Sequence, residues 1–192
     1  MILEGIVTTV SPTGEVNIAP MGPRVEPSMR QLVLRPFRTA QTYWNLCKHG
    51  EGVFHVTDDV LLLARAAVGR LDATPELIPA HKVRGHILAG ACRYYEFRVR
   101  AMDDREERVN IDAEVVETGR LRDFFGFNRA KHAVVEAAIL ATRVGLLPRE
   151  QIEDEFRRLG VLVQKTGGAQ EHEAFQFLEG YVREALPAEE SR

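Results

Sequence analysis

Arginine is the residue type whose placement suggests chemistry. Arg24, Arg30, Arg35 and Arg38 share one stretch with a single acid, Glu26, a local charge of +3 in a chain whose 25 basic and 28 acidic residues leave it at −3. The stretch leads into an expected helix over residues 40–49, with Thr39 as its N-cap and Lys48, His49 and Gly50 as a cationic last turn and a stop. A helix start carries unpaired N–H groups and the positive end of the backbone dipole, so it favours an anion before any side chain is counted. Guanidinium groups, with the hydroxyls of Thr39 and Thr42, would meet each peripheral oxygen of a phosphate monoester with a directed donor. A solvated basic loop ahead of a plainly capped helix uses the same residues, and spacing alone leaves both readings open.

Other chemistries find less in the residues. Ser11, Ser28 and Ser191 are the only serines and none stands in a G-x-S-x-G elbow. No phosphate-binding GxxxxGK[ST] occurs, and Gly50-Glu51-Gly52 has His55 where a dinucleotide fingerprint needs glycine and precedes a strand where that fingerprint follows one. His49, His55, His81, His86, His132 and His172 form no HExxH or HxH pair, so no metal site is expected. Cys47 and Cys92 belong to no CxxC and read as two buried, reduced thiols.

The elements that must position these residues follow from periodicity. Glu4 to Val10 and Val16 to Ala19 flank the turn Ser11-Pro12-Thr13-Gly14, which predicts a hairpin. An irregular, proline-rich loop over residues 20–30 precedes the strand Gln31 to Arg35. Gly52 to Thr57 reads as a strand, and Asp58 or Asp59 caps a buried helix from Val60 to Val68 closed by Gly69. Residues 72–81 read as a loop. Two long strands follow, Ala91 to Met102 and Arg108 to Glu117, with Glu96, Arg98 and Arg100 on a wet face. From Asn128, a good cap, the period becomes helical. One helix ends at Gly145, a second opens on Pro148 and stops at Gly160, and a third runs from about Gln170 to Leu186 after Lys165-Thr166-Gly167-Gly168. Strands first and helices last predict an α+β protein, with a β barrel over residues 1–122 and a helical subdomain over 123–192.

At 192 residues, 45% apolar and 28% charged, the chain has ordinary globular composition. Its balance of charge offers no excess for a nucleic-acid backbone or an anionic membrane, and its longest apolar runs are far below the ~18 residues of a spanning helix. The opening MILEGIVTTV lacks the basic region and cleavage site of a secretory leader, so a cytoplasmic protein is expected.

Several ordered strings carry a resemblance. Glu4-Gly5-Ile6-Val7-Thr8-Thr9, Gly14 to Gly22, Leu34-Arg35-Pro36-Phe37, Thr39 to Leu46, Val56-Thr57-Asp58-Asp59, Phe127 to His132, Glu136 to Arg143 and Lys165 to Gly168 together resemble the DUF447 family across nearly the whole chain. That family looks like a branch of the flavin-reductase-like FMN-binding split barrels with a helical C-terminal extension. The resemblance implies an FMN-binding homodimer, acting either as a flavin-dependent oxidoreductase on a small-molecule substrate or as a non-catalytic flavin-binding or accessory protein in pterin-linked one-carbon metabolism. In the wider flavin-reductase group a [KR]-x-T-x-x-N segment opens a helix beside the flavin phosphate. Thr42-x-x-Asn45 fits this pattern, with Arg35 or Arg38 supplying the charge, so the resemblance implies a phosphate site of Arg35, Arg38, Thr39, Thr42 and Asn45. Asn17, Ile18, Ala19, Pro20 and Met21 would line the isoalloxazine through backbone groups, and Asn128 with Lys131 would complete the pocket.

Overall fold

The structure, a computed structural model, describes residues 1–186; residues 187–192, with Ser191, lie outside the described part. By compactness the chain divides into two units, Met1–Asp58 with Ala73–Phe124, and Asp59–Asp72 with the residues from Phe125 on.

The first unit is built around β1 (Gly5–Val10), a β-branched run buried at every residue. On one side it pairs antiparallel with β2 (Val16–Met21), through the predicted turn closed by the Ser11 N–H on the Glu15 carbonyl at 2.8 Å. On the other it pairs with β5 (Glu51–Val56). The sheet continues through β8 (Arg93–Asp103), β9 (Asn110–Arg120), β4 (Gln31–Leu34) and β3 (Arg24–Val25), all antiparallel, in the order β2-β1-β5-β8-β9-β4-β3. Residues ahead of β1 then meet β3: Ile2 bridges Arg24, the Leu3 N–H reaches the Pro23 carbonyl at 3.1 Å, and the Val25 N–H reaches the Met1 carbonyl at 2.8 Å. One end of the curled half-barrel is thereby covered by chain that runs on into β1, and β2 is left as the open edge.

Inside the curl, Val7, Leu32, Leu34, Phe54, Phe97 and Ile111 form the core, and α1 (Gln41–His49) inserts Tyr43 and Leu46 into it. Each such side chain contributes about 1.5–3 kcal/mol on burial, so α1 is held chiefly by these two anchors. Gly50 ends α1 at φ 62°, its N–H on the Leu46 carbonyl at 2.8 Å, as the sequence predicts. The opposite face of the sheet packs Val53, Val83, Ile87 and Tyr94 near the short hairpin of β6 (Leu77–Pro79) and β7 (His86–Leu88). That hairpin corrects the expected loop over 72–81. Pro79 sits in it because a two-stranded sheet has an edge on which a missing N–H is harmless. Gly119 faces Tyr94 in register, where a Cβ would stand 2.3 Å from the ring.

Glu96 is a second correction. Expected on a wet face, it is fully buried, because the residues after β6 fold over it: its carboxylate accepts the His81 N–H at 2.8 Å and the Lys82 N–H at 2.6 Å, and lies 3.1 Å from His81 Nδ1. His55, on β5, is also fully buried. Its Nδ1 lies 3.1 Å from the Ile6 carbonyl and its Nε2 accepts the Leu88 N–H at 3.0 Å, which defines a neutral ring with the proton on Nδ1. Cys92 is buried as expected, but Cys47 is exposed, with its Sγ 3.6 Å from Met102 Sδ.

The second unit is helical. α2 (Val60–Ala67) is capped by Asp59, whose carboxylate takes the Leu62 N–H at 3.0 Å. α3 (Arg129–Ala141) buries Ala130, Ala133, Ala137, Ala138 and Ala141, small side chains that let neighbouring helices approach closely. It ends at Ala141, ahead of Gly145. Pro148 is the N-cap of α4 (Arg149–Thr166), which does not stop at Gly160. Gly160 lies inside that helix, facing the Phe175 ring of α5 (Ala169–Ala185), where a Cβ would make ordinary contact at 3.4 Å. Phe156 and Phe175 meet at 5.6 Å, Arg65 reaches Glu173 at 3.0 Å and Gln170 Nε2 reaches Asp59 at 3.1 Å, so α2, α4 and α5 are joined by apolar and polar contacts alike.

Candidate functional site

Several arginines of the chain are engaged by acids, and those of the basic stretch are not. Arg65, Arg70, Arg98 and Arg122 each pair with a carboxylate. Among the described residues Arg24, Arg30, Arg35 and Arg38 have no such partner, and the one acid among them, Glu26, accepts from Ser28 Oγ at 2.6 Å instead. Arg35 is half-buried, and its Nε is enclosed without a hydrogen-bond partner. A buried guanidinium N–H is expected to be satisfied, so an open one marks a place where an acceptor belongs.

The connection carrying Arg35 and Arg38 is fastened to the β8–β9 hairpin. The Val109 N–H meets the Pro36 carbonyl at 3.0 Å, the Arg38 N–H meets the Glu107 carbonyl at 3.0 Å, and the Arg108 guanidinium stacks over the Phe37 ring at 4.5 Å. α1 is tied to the same hairpin by the Tyr43 hydroxyl on Asp104 at 3.0 Å. α1 itself begins one residue later than expected. Its N-cap is Ala40, not Thr39, so the cap offers no side-chain hydrogen bond, and the first turn holds no acid. Thr39 remains exposed beside it. An uncapped helix start without a carboxylate leaves its N–H groups and dipole for an anion from outside.

Thr42 and Asn45 turn inward. Thr42 is 2% exposed and Asn45 1%, and they meet strand residues in a polar cluster beneath the helix. Asn17 Nδ2 lies 3.0 Å from Thr42 Oγ1 and 3.4 Å from Thr9 Oγ1; Asn45 Nδ2 lies 3.0 Å from Thr9 Oγ1; Gln41 Nε2 donates to Asn45 Oδ1 at 2.7 Å. The structure thus brings Asn17 together with Thr42 and Asn45, and adds Thr9 and Gln41, which the sequence reading did not single out. The only sequence signal for Thr9 is a hydroxyl, shared with Thr8, in a strand otherwise apolar enough to be wholly buried.

β2 presents its other side to solvent. Because Ser11 and Glu15 form a hydrogen-bonded pair, the alternation of an antiparallel ladder makes Thr9–Asn17, Val7–Ala19 and Gly5–Met21 the bonded pairs with β1. The backbone groups of Val16 and Ile18, and the carbonyl of Pro20, then point away from the sheet along its open edge. Pro20 fits there because the N–H it lacks would have faced outward. Side chains alternate the other way, with Asn17 towards α1 and Met21 against the interior core.

Asn128 and Lys131 belong to the helical unit. Asn128 Oδ1 caps α3 by accepting the Ala130 N–H at 2.8 Å and the Lys131 N–H at 3.1 Å, and its Nδ2 donates to the Thr166 carbonyl at 3.0 Å. Lys131 Nζ is 2.7 Å from Glu171, whose carboxylate also accepts the Gly168 N–H at 2.8 Å. Burial alone would raise the Glu171 carboxyl, but Lys131 and that N–H outweigh it and hold it below its ordinary value. Among the described residues no group of three His, Cys, Asp or Glu is placed to hold a metal ion, and no helix is long and apolar enough to cross a membrane.

A curled antiparallel half-barrel with an uncapped helix start and an open edge strand places the chain in a structural class, that of the flavin-reductase-like folds. An NADH:FAD oxidoreductase from Streptomyces globisporus superposes with a TM-score of 0.52 at 14% identity, over 62% of this chain and 70% of that one. An FMN-binding protein from Thermus thermophilus does so with a TM-score of 0.51 at 14% identity, over 62% and 70%. The particular family is DUF447, to which the chain belongs: the model described as "Protein of unknown function (DUF447) N-terminal domain" matches residues 3–122, and that described as "Protein of unknown function (DUF447)" matches residues 128–180. An FMN-bound member of that family from Methanosarcina mazei superposes with a TM-score of 0.79 at 24% identity, over 96% of this chain and 95% of that one. No curated protein matches the sequence.

Proposed function

We propose that this chain binds FMN non-covalently and serves as a flavin-dependent oxidoreductase acting on a small-molecule substrate. The observation that carries the reading is the uncapped start of α1, preceded by Arg35 with a buried Nε that lacks an acceptor. A phosphate monoester supplies both a dianion for the helix start and oxygens for the guanidinium. Arg35, Arg38 and Thr39 hold that phosphate, with Thr42 and Asn45 fixing the helix turn beneath it. Backbone groups of the segment Asn17 to Met21, Ile18 above all, meet the polar edge of the ring. The bound flavin would supply hydride and electron transfer, and the protein's part is to hold, orient and shield it. The FMN-bound family member from Methanosarcina mazei supports this assignment. Asn128 and Lys131 are engaged within the helical unit, by the α3 cap and the Glu171 ion pair.

The active form in this reading is a cytoplasmic homodimer. Phe127, 108% exposed, supports the dimer, since an aromatic ring at the surface is typical of an interface. The test is the spectrum and mass of the purified protein. A flavin absorption band, present on purification or restored by added FMN, on a particle of two chains by light scattering is the expected result. A protein that takes up no FMN in calorimetry sinks the reading. Bleaching of the bound flavin by NADH or NADPH, with reoxidation by an acceptor, establishes turnover; a flavin that stays oxidised with every donor points to the accessory role instead.

A further inference from the structure

Four polar side chains, Thr9, Asn17, Thr42 and Asn45, occupy a place where apolar residues of like shape would pack without any need for hydrogen-bond partners. Thr9 is at its centre and is 0% exposed. It touches no solvent and lies in the middle of β1, so it reaches a ligand only through its neighbours. Its hydroxyl oxygen receives Asn45 of α1 and Asn17 of β2, and Asn17 in turn reaches Thr42, one residue past the first of α1. Gln41, the first helical residue, fixes the orientation of the Asn45 amide by donating to its oxygen. The network therefore fastens the first turn of α1 to β1 and to the strand whose backbone edge is open.

From this juxtaposition we infer that Thr9 is a positioning residue for the phosphate end of the site, setting the α1 start relative to the β2 edge and making the site select a phosphorylated flavin over the unphosphorylated one. The inference rests on the FMN reading above. β2 keeps its place without the Thr9 side chain, because the backbone bonds of its ladder with β1 align it. The first turn of α1 has no such ladder. Besides the apolar anchors Tyr43 and Leu46 and the Tyr43 hydroxyl on Asp104, which tie it to the core and to the β8–β9 hairpin, this network is what fastens it to β1 and β2. Loss of the Thr9 hydroxyl thus moves the phosphate-binding end and spares the ring-binding edge.

The experiment compares FMN and riboflavin, which differ by the phosphate alone, by quenching of flavin fluorescence on the full chain. Thr9→Val, an isosteric change, is expected to weaken FMN about tenfold and to leave riboflavin within about twofold, while Thr9→Ser restores the preference for FMN. Gln41→Met, at an exposed position that bears little on folding, gives a smaller loss of the same kind, and it keeps the inference testable if Thr9→Val does not fold. A purely structural Thr9 would weaken the two flavins in parallel or neither, and either result overturns the inference, as does an unchanged FMN-to-riboflavin ratio in Gln41→Met. Absence of FMN binding by the unsubstituted protein is a separate outcome, which overturns the flavin reading itself and this inference with it.

Discussion

His55 makes the stability of the first unit depend on pH in a window of its own. Burial pushes its ring from the ordinary 6.5 down to about 4, opposed only by the bond to the Ile6 carbonyl, which favours the protonated form. A folded pKa below the unfolded one means that the unfolded chain binds the extra proton first. The stabilisation is therefore fully present above pH 6.5 and is lost as pH falls through about 4. Carried through the linkage relation, that depression corresponds to about 3 kcal/mol in full, of which about 2 kcal/mol is gone by pH 5. Glu51 and Glu171, whose carboxyls are held below their ordinary range, lose their contributions at lower pH, so the upper part of the window belongs to His55. Trp44, the only tryptophan, lies on α1 in the first unit. Urea unfolding followed by its fluorescence should show the midpoint falling between about pH 7.5 and pH 5, and His55→Gln should be weaker at neutral pH yet nearly flat across that interval. Equal midpoints for the unsubstituted protein at the two pH values, or an undiminished slope in His55→Gln, would refute the assignment of a buried neutral ring.

Two further outcomes follow from particular contacts. Arg35→Ala should weaken FMN by about 1.5–3 kcal/mol, ten- to a hundredfold, as a charge-assisted bond to the phosphate is lost; the same calorimetric titration on Arg38→Ala separates the two arginines, and an unaltered affinity in Arg35→Ala removes Arg35 from the site. Lys131→Met should destabilise the helical unit by about 2–3 kcal/mol, because the Glu171 carboxylate, 8% exposed, is left without its cation. Thermal melting followed by helical circular dichroism checks this, and a loss under about 1 kcal/mol would show that the ion pair contributes no more than a surface one.

How far the sequence could be read depended on whether a residue's neighbours are near in the chain. The β1–β2 hairpin, the Gly50 stop and the Asn128 and Asp59 caps rest on local rules, and the structure has them all. Glu96 looked wet because alternation describes a single strand, and it cannot show that residues 81 and 82 return to cover the carboxylate. Gly160 looked like a stop because a glycine after a helical period commonly ends one, but what carries α4 on to Thr166 is packing of its later residues such as Val163, which a local rule does not see. At the candidate site the clustering of Arg35 and Arg38 ahead of a helix was visible as charge. That Thr42 and Asn45 face inward, and that Thr9 joins them, was not, since threonine in a strand is equally explained by its β-branched shape.

Pro20 gives the open edge of β2 a further property. An unpaired strand edge is a template on which another chain can extend the ladder, and its outward N–H and carbonyl groups are what an incoming strand would use. At Pro20 the edge offers a carbonyl but no donor, so a second strand finds its register broken there, after Val16 and Ile18. The residue that makes the edge poor ground for aggregation still leaves it the amide and carbonyl groups of Val16 and Ile18, enough for a partner needing only a few bonds.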